Sequence, residues 1–273
     1  MQMKNVFIGA SGYSYKDWLG IFYPKEIKPS EYLDYYVKFF NFCELNFSYY
    51  ALPKAKNMEM LAKKVPPGFQ FSIKGHQSLT HERSGDWKNS VQKFQEGIKP
   101  ISEKGLLGSV LMQFPFSFHY TVNNRKYLSD LCDHFEGSPL CLEFRNRDWH
   151  ISAVYEELKK RNLCMVWTDM PNLKDLPDYF SVEKKPDLCG DILYLRFHGR
   201  NKENWWTGNN ATRYDYLYSS DELSPWADVI KKLISEVKKT LIAFNNHLKG
   251  NAVKNSRQLK ELLNRGQSGA DSE

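Results

Sequence analysis

Three stretches of the sequence place two reactive side chains two positions apart around an apolar residue: Glu44-Leu45-Asn46, Glu143-Phe144-Arg145 and Arg196-Phe197-His198. In an extended chain, residues i and i+2 share a face. Each stretch therefore sends both polar groups one way and Leu45, Phe144 or Phe197 the other. Carboxylates, imidazole and guanidinium groups collected like this suit general acid and base catalysis, with arginines holding an anionic or developing oxyanionic group. A structural ion pair explains any single stretch equally well, since such pairs also perturb pKa values. Three stretches in matching positions point to a ligand site.

The elements that must position these groups form a regular series. Apolar or alternating runs recur at 6–12, 42–48, 69–75, 108–114, 140–146, 163–169, 192–199 and 240–247, eight expected strands. Helical patterns fill most gaps, as in SEYLDYYVKFF from Ser30, SVQKFQEGIKPISEK with expected interruptions at Gly97 and Pro100, and SRQLKELLNRG closed by Gly266. The gap from Asp169 to Ile192 is the weakest, with room for a short helical turn. Strand and helix alternating eight times predict a single-domain (β/α)8 TIM barrel over residues 1–265, with an open doubly wound sheet as the competitor and residues 266–273 as a disordered tail.

In such a barrel the reactive groups stand at the C-terminal strand ends. Glu44, Glu143, Asp169 and His198 fall there as expected catalytic residues, and Asn46, Lys74, Gln113, Arg145, Arg196, Asn245 and Asn246 as expected substrate-binding residues. The loops beyond add Ser11 between two glycines, Tyr50, His81 and Trp149. Aromatic rings around a polar mouth suit stacking on a sugar or nucleobase. Trp205 and Trp206 are read individually as loop packing, because large aromatics are mostly buried.

Other chemistries find less support. Glu44, Glu143, Asp169, His198 and His247 are suitable ligand types for a divalent ion, but no local metal motif such as H-E-x-x-H occurs and the basic residues already compensate the carboxylates. No metal or other cofactor is expected. There is no G-x-S-x-G elbow and no phosphate-binding glycine motif. The five cysteines, an odd count without C-x-x-C spacing, read as reduced packing residues. No run reaches the roughly 18 apolar residues of a membrane span, and MQMKNVFIGASGY lacks the apolar core of a secretory signal, so a cytoplasmic location is expected. The formal charge of +6 is spread without a basic run, which favours a small anionic partner over a nucleic acid.

With these residues laid out, the chain resembles the YecE-like family, domain of unknown function 72, from Gly9 to about Leu263. The resemblance is carried by GASGYSYKDW, ELNFSYY, FQFSIKG with Thr80-His81, QFP, EFRNRDW, YLRFHGR and FNNHLKGNAVKNS. Ser48 and Ser256 depart from the threonine and alanine usual in the family. The resemblance implies a TIM barrel with its polar cluster at the strand C-termini, and no reaction. The residues themselves point to a metal-independent hydrolase, lyase or isomerase for a small anionic or sugar-like substrate. A nucleic-acid-binding or nucleic-acid-processing protein and a non-catalytic ligand sensor are the alternatives.

Overall fold

The computed structural model describes residues 4–83, 85–179 and 188–265. Within them, nine parallel strand segments form one sheet: β1 (Val6–Ser11), β2 (Phe42–Leu45), β3 (Gln70–Lys74), β4 (Leu107–Phe114), β5 (Leu140–Phe144), β6 (Cys164–Met165), β7 (Trp167–Asp169), β8 (Ile192–Phe197) and β9 (Lys239–Phe244). Their order is β6-β5-β4-β3-β2-β1-β9-β8-β7. The two ends of that order are consecutive in the chain, separated only by Val166. β6 pairs with β5, β7 pairs with β8, and the Val166 N–H donates to the Leu142 carbonyl at 2.8 Å. The sixth expected strand is thus one run that changes partner in its middle, and this brings the sheet nearly to closure. The domain is an α/β barrel.

Helices α1 (Tyr32–Tyr36), α2 (Phe47–Tyr50), α3 (Ala55–Lys63), α4 (Trp87–Glu103), α5 (Val122–His134), α6 (Ser152–Lys160), α7 (Asn210–Arg213), α8 (Ser220–Leu233) and α9 (Asn251–Asn264) occupy the connections. Among the described residues no helix is long and apolar enough to cross a membrane. Residues 266–273, the expected tail, and residues 180–187 in the weak gap lie outside the described residues; the chain before them, from Met170 to Tyr179, forms only turns.

Strand alternation divides the apolar residues into two cores. Leu45, Phe144 and Phe197 belong to the large core between sheet and helices. Phe42, Leu111, Cys141, Cys164, Val166, Tyr194, Leu241 and Ala243 form a smaller one, and their period-two relation to the inward polar residues puts it inside the barrel. This inner plug determines where the polar layer begins. Phe42 precedes Glu44 by two residues, as Cys141 precedes Glu143 and Tyr194 precedes Arg196. All five cysteines are buried thiols.

The expected interruption of α4 is corrected. The helix runs through both Gly97 and Pro100, from an Asp86 cap whose carboxylate accepts the Asn89 N–H at 3.2 Å. Gly97 is there because a side chain would run into the Pro53 carbonyl. Alanine is normally the better helix former by about 1 kcal/mol, but overpacking costs about 1–3 kcal/mol. Gly97→Ala is therefore expected to lower the midpoint of urea unfolding, against its helix propensity. A raised midpoint would show that the α4 contact to Pro53 yields freely.

Candidate functional site

Arg196 lies across the inside of the barrel at the top of the apolar plug. Its Nε donates to Glu44 Oε2 at 2.7 Å and its Nη2 to Glu44 Oε1 at 2.6 Å, a bidentate pair, while Nη1 donates to Glu143 Oε2. Glu44 also accepts from the Ser11 hydroxyl and, at 2.5 Å, from the Tyr194 hydroxyl. Glu143 Oε1 accepts from Arg145 Nε. Strands β1, β2, β5 and β8 are tied together by one cluster whose carboxylates are fully buried.

The cluster fixes its own protonation states. Burial alone would push both carboxyls up. For Glu44 the charge and hydrogen bonds of Arg196, with Ser11 and Tyr194, outweigh it and the pKa is lowered. For Glu143 the charges of Arg145 and Arg196 hold the carboxyl well below the usual range. His198 is pushed down to about 3 by burial and by Arg145, so it is neutral. Its Nδ1 faces two donors, Asn245 Nδ2 at 3.1 Å and Arg145 Nη2 at 3.4 Å. Nδ1 is therefore the acceptor and Nε2 carries the proton, 3.3 Å from Glu143 Oε1.

Above this cluster opens a cavity of about 450 Å³. Arg196, Arg145, Lys74, Asn46, Gln113 and Asn245 form its floor and inner wall, and Tyr15, Tyr49, Tyr50, Phe116, Trp206, Tyr214, His81, His247 and Arg213 surround them. Among the described residues no aspartate or glutamate lines it. Lys74 Nζ donates to Gln113 Oε1 at 2.8 Å and lies 4.5 Å from the centre of the Tyr49 ring. Burial, then the charge of Arg196, pushes its pKa down to about 7. His81 is lowered to about 4 by burial and the nearby Lys74, Arg145 and Arg83. Two wall atoms, Asn46 Oδ1 and His247 Nδ1, are buried without a hydrogen-bond partner among the described residues.

The structure brings Asn46, Tyr50, Lys74, His81, Gln113, Arg145, Arg196 and Asn245 to the cavity, with Ser11, Glu44, Glu143 and His198 directly behind its wall. Three expected site residues lie elsewhere. Asp169 accepts from Arg200 Nε at 2.9 Å, Arg200 Nη2 at 2.5 Å, Tyr218 Oη at 2.7 Å and Trp226 Nε1 at 2.7 Å. It is a hub between β7 and α8, because Trp167 faces the helices and Asp169, two residues on, shares that face. Trp149 stacks on Phe118 and Phe144 in the outer core and donates to the Phe118 carbonyl at 2.6 Å. Asn246 donates to the Tyr216 carbonyl and to Asn255, both at 2.8 Å. Being one residue from Asn245, it takes the opposite face.

Tyr15, Phe116, Arg213 and Tyr214 line the cavity without having been singled out from the sequence. Tyr15, Phe116 and Tyr214 come from loops and Arg213 from the end of the short helix α7, where no period-two rule applies. Of the tryptophan pair, Trp205 is buried against Arg145, its ring centre 5.7 Å from the guanidinium, whereas Trp206 is half exposed at the rim. Among the described residues no three His, Cys, Asp or Glu side chains converge so as to hold a metal ion.

Fold and mouth together define an α/β barrel protein with a charge-paired cluster under a cation-walled cavity. The family described as "Protein of unknown function DUF72" matches residues 7–273, and the chain belongs to that family. It is 31% identical to the UPF0759 protein YunF of Bacillus subtilis (strain 168), over 97% of this chain and 96% of that one. Among solved structures, a DUF72 family protein (TM1631) of Thermotoga maritima MSB8 is similar at a TM-score of 0.86 and 37% identity, covering 95% of this chain and 99% of that one. Another (EF0366), from Enterococcus faecalis V583, is similar at a TM-score of 0.82 and 25% identity, covering 95% of each.

Glu143→Gln leaves two buried guanidiniums short of a counter-charge and is expected to cost about 3–5 kcal/mol at pH 7. The folded pKa values of Glu44 and Glu143 lie below the ordinary 4.5, so their stabilisation is complete above that value and is lost as the pH falls through the folded values. Urea unfolding between pH 7 and pH 3 should show a steeper acid decline in the parent than in Glu143→Gln. Parallel declines would assign the acid sensitivity to other carboxylates.

Proposed function

We propose that the mouth binds a small anionic substrate carrying a flat or ring portion, and that the protein is an enzyme for it. The observation that carries this reading is the cavity wall: three arginines and a lysine line it, and no acidic side chain does among the described residues. Glu44 and Glu143 set this up by pairing with Arg196 and Arg145 from behind: Arg196 is spent on the carboxylates and adds charge from beneath, and Arg145, Arg213 and Lys74 are the cations left to meet a ligand. A planar guanidinium matches a carboxylate or phosphate through two parallel N–H donors. Tyr49, Tyr50, Phe116 and Trp206 offer ring faces to the remainder of the ligand. Proton exchange falls to Lys74 and His81, which line the cavity. Glu44 and Glu143, read from sequence as acid and base, serve better as fixed counter-charges, since both are saturated with donors.

A panel of sugar phosphates and small carboxylates tests the binding. A ligand at 100 times its Kd stabilises by about 2.7 kcal/mol, which for a chain of this size raises Tm by about 5–10 °C. The shift should vanish in Arg145→Met while that variant stays folded. An equal shift in Arg145→Met would sink the reading. Binding of RNA oligomers with a steep salt dependence, also lost in Arg145→Met, would instead favour a nucleic-acid substrate.

A further inference from the structure

Lys74 is the last residue of β3, and its backbone is pinned by the Ser48 hydroxyl, which donates to the Lys74 carbonyl at 2.6 Å. Its amine is built into the wall by one hydrogen bond and lies over the Tyr49 ring. Gln113 Oε1 accepts from Nζ at 2.8 Å, and Gln113 is itself oriented because its Nε2 donates to the Phe114 carbonyl at 3.0 Å. Gln113 is the only hydrogen-bond partner of that amine among the described residues, and no carboxylate pairs with it. Glu44 and Glu143 are within reach of the same layer, but Arg196 and Arg145 take up their oxygens. Desolvation and the charges of Arg196 and Arg145 favour the free amine over the ammonium, and they outweigh the opposing charges of Glu44 and Glu143. The Lys74 side chain borders the open cavity.

We propose that Lys74 is a nucleophile that forms an imine with an aldehyde or ketone carrying an anionic group. The proposal rests on the anion-binding reading of the mouth for the second half of that description, and on the surroundings of the amine for the first. Nζ adds its lone pair to the carbonyl carbon, the C–N bond forms, and the carbonyl oxygen takes a proton to give the carbinolamine. The C–O bond then breaks, and that oxygen leaves as water with one amine hydrogen and one proton from solvent. The iminium that remains carries one N–H and a positive charge, and it withdraws electrons from the adjacent carbon. Arg145 and Arg213 line the same space and hold the anion, with the charge of Arg196 beneath them.

The amine's depressed pKa of about 7 sets the conditions for the test. The full chain is incubated at pH 7.5 with glyoxylate, an anionic aldehyde, or with propanal, an uncharged one, then reduced with sodium borohydride, and the adducts are located by peptide mass mapping. With glyoxylate, Lys74 should be modified at least about tenfold more than the average of the other lysines. The Lys74→Arg and Lys74→Met variants should lose that adduct. Gln113→Glu places a carboxylate beside the amine and favours the ammonium, so the pH profile of trapping should move upward, with yield recovered in alkali. Adducts spread evenly over the lysines, or an unchanged pH profile in Gln113→Glu, would overturn the nucleophile. Selective trapping by propanal but not glyoxylate would keep the nucleophile and remove the anion from its substrate. Absence of trapping beside Arg145-dependent ligand binding would remove the imine and leave the anion pocket standing.

Discussion

Everything at the mouth depends on Arg196. A guanidinium buried at the centre of a barrel has a large desolvation cost, and two buried carboxylates facing each other cost more again. Together they are tolerable because the fork of Arg196 meets Glu44 through two donors and Glu143 through the third. The three side chains come from strands that do not all adjoin, so the cluster also locks the barrel's register around its axis. Its second effect is on the cavity. With the negative charge drawn to the rear, the surface presented to solvent is cationic although the layer as a whole is close to balanced.

The outer wall is held by different means. Asp169, with Arg200, Tyr218 and Trp226, fastens the chain that follows β8 to the frame, and that chain carries Trp206, Arg213 and Tyr214 to the rim. Tyr15 lies flat on His247, ring centres 4.5 Å apart, so the loops after β1 and β9 support each other across the entrance. The floor is thus set by ion pairs within the barrel and the rim by ring packing and one carboxylate hub outside it. The two can vary independently, which is the usual division of labour in barrels whose strand ends carry the chemistry.

The fold was legible because two periods, one of two residues and one of 3.6, repeat along the chain. The same period of two put Glu44, Glu143, Arg145 and Arg196 on inward faces, and the structure has them in one cluster. Asp169 and Asn246 were misplaced because the rule was not carried to the strand ends: Val166 belongs to the inner plug, so Asp169 three residues on points outward, as does Asn246 beside the inward Asn245. Trp149 looked like a rim residue because it follows Arg145 closely in sequence, yet apolar packing on Phe118 and Phe144 draws it outward. Residues such as Arg213, at the end of the one-turn α7, and Tyr214 just after it carry no periodic signal, and only the completed fold brings them to the mouth. What no pattern could convey is the direction of each charge's partner, and that direction is what turns Glu143 from an acid-base candidate into a counter-ion.

The split of the sixth strand also bears on how the barrel gives way. β6 pairs with β5 only through Cys164 and Met165, and β7 pairs with β8 only over Trp167–Asp169, whereas β4 and β5 match from Val110 to Phe114 and β8 and β9 from Ile192 to Phe197. The β5–β6 edge beside Val166 is therefore the least stitched part of the cylinder, and the β7–β8 edge matches no more residues than β1 and β2 do. Amide protons along that seam have the fewest ladder bonds to break before they meet solvent, so local opening begins there. The seam runs beside Glu143, whose bond to Arg196 spans the barrel like a clasp across the one place where the hoop is not continuous.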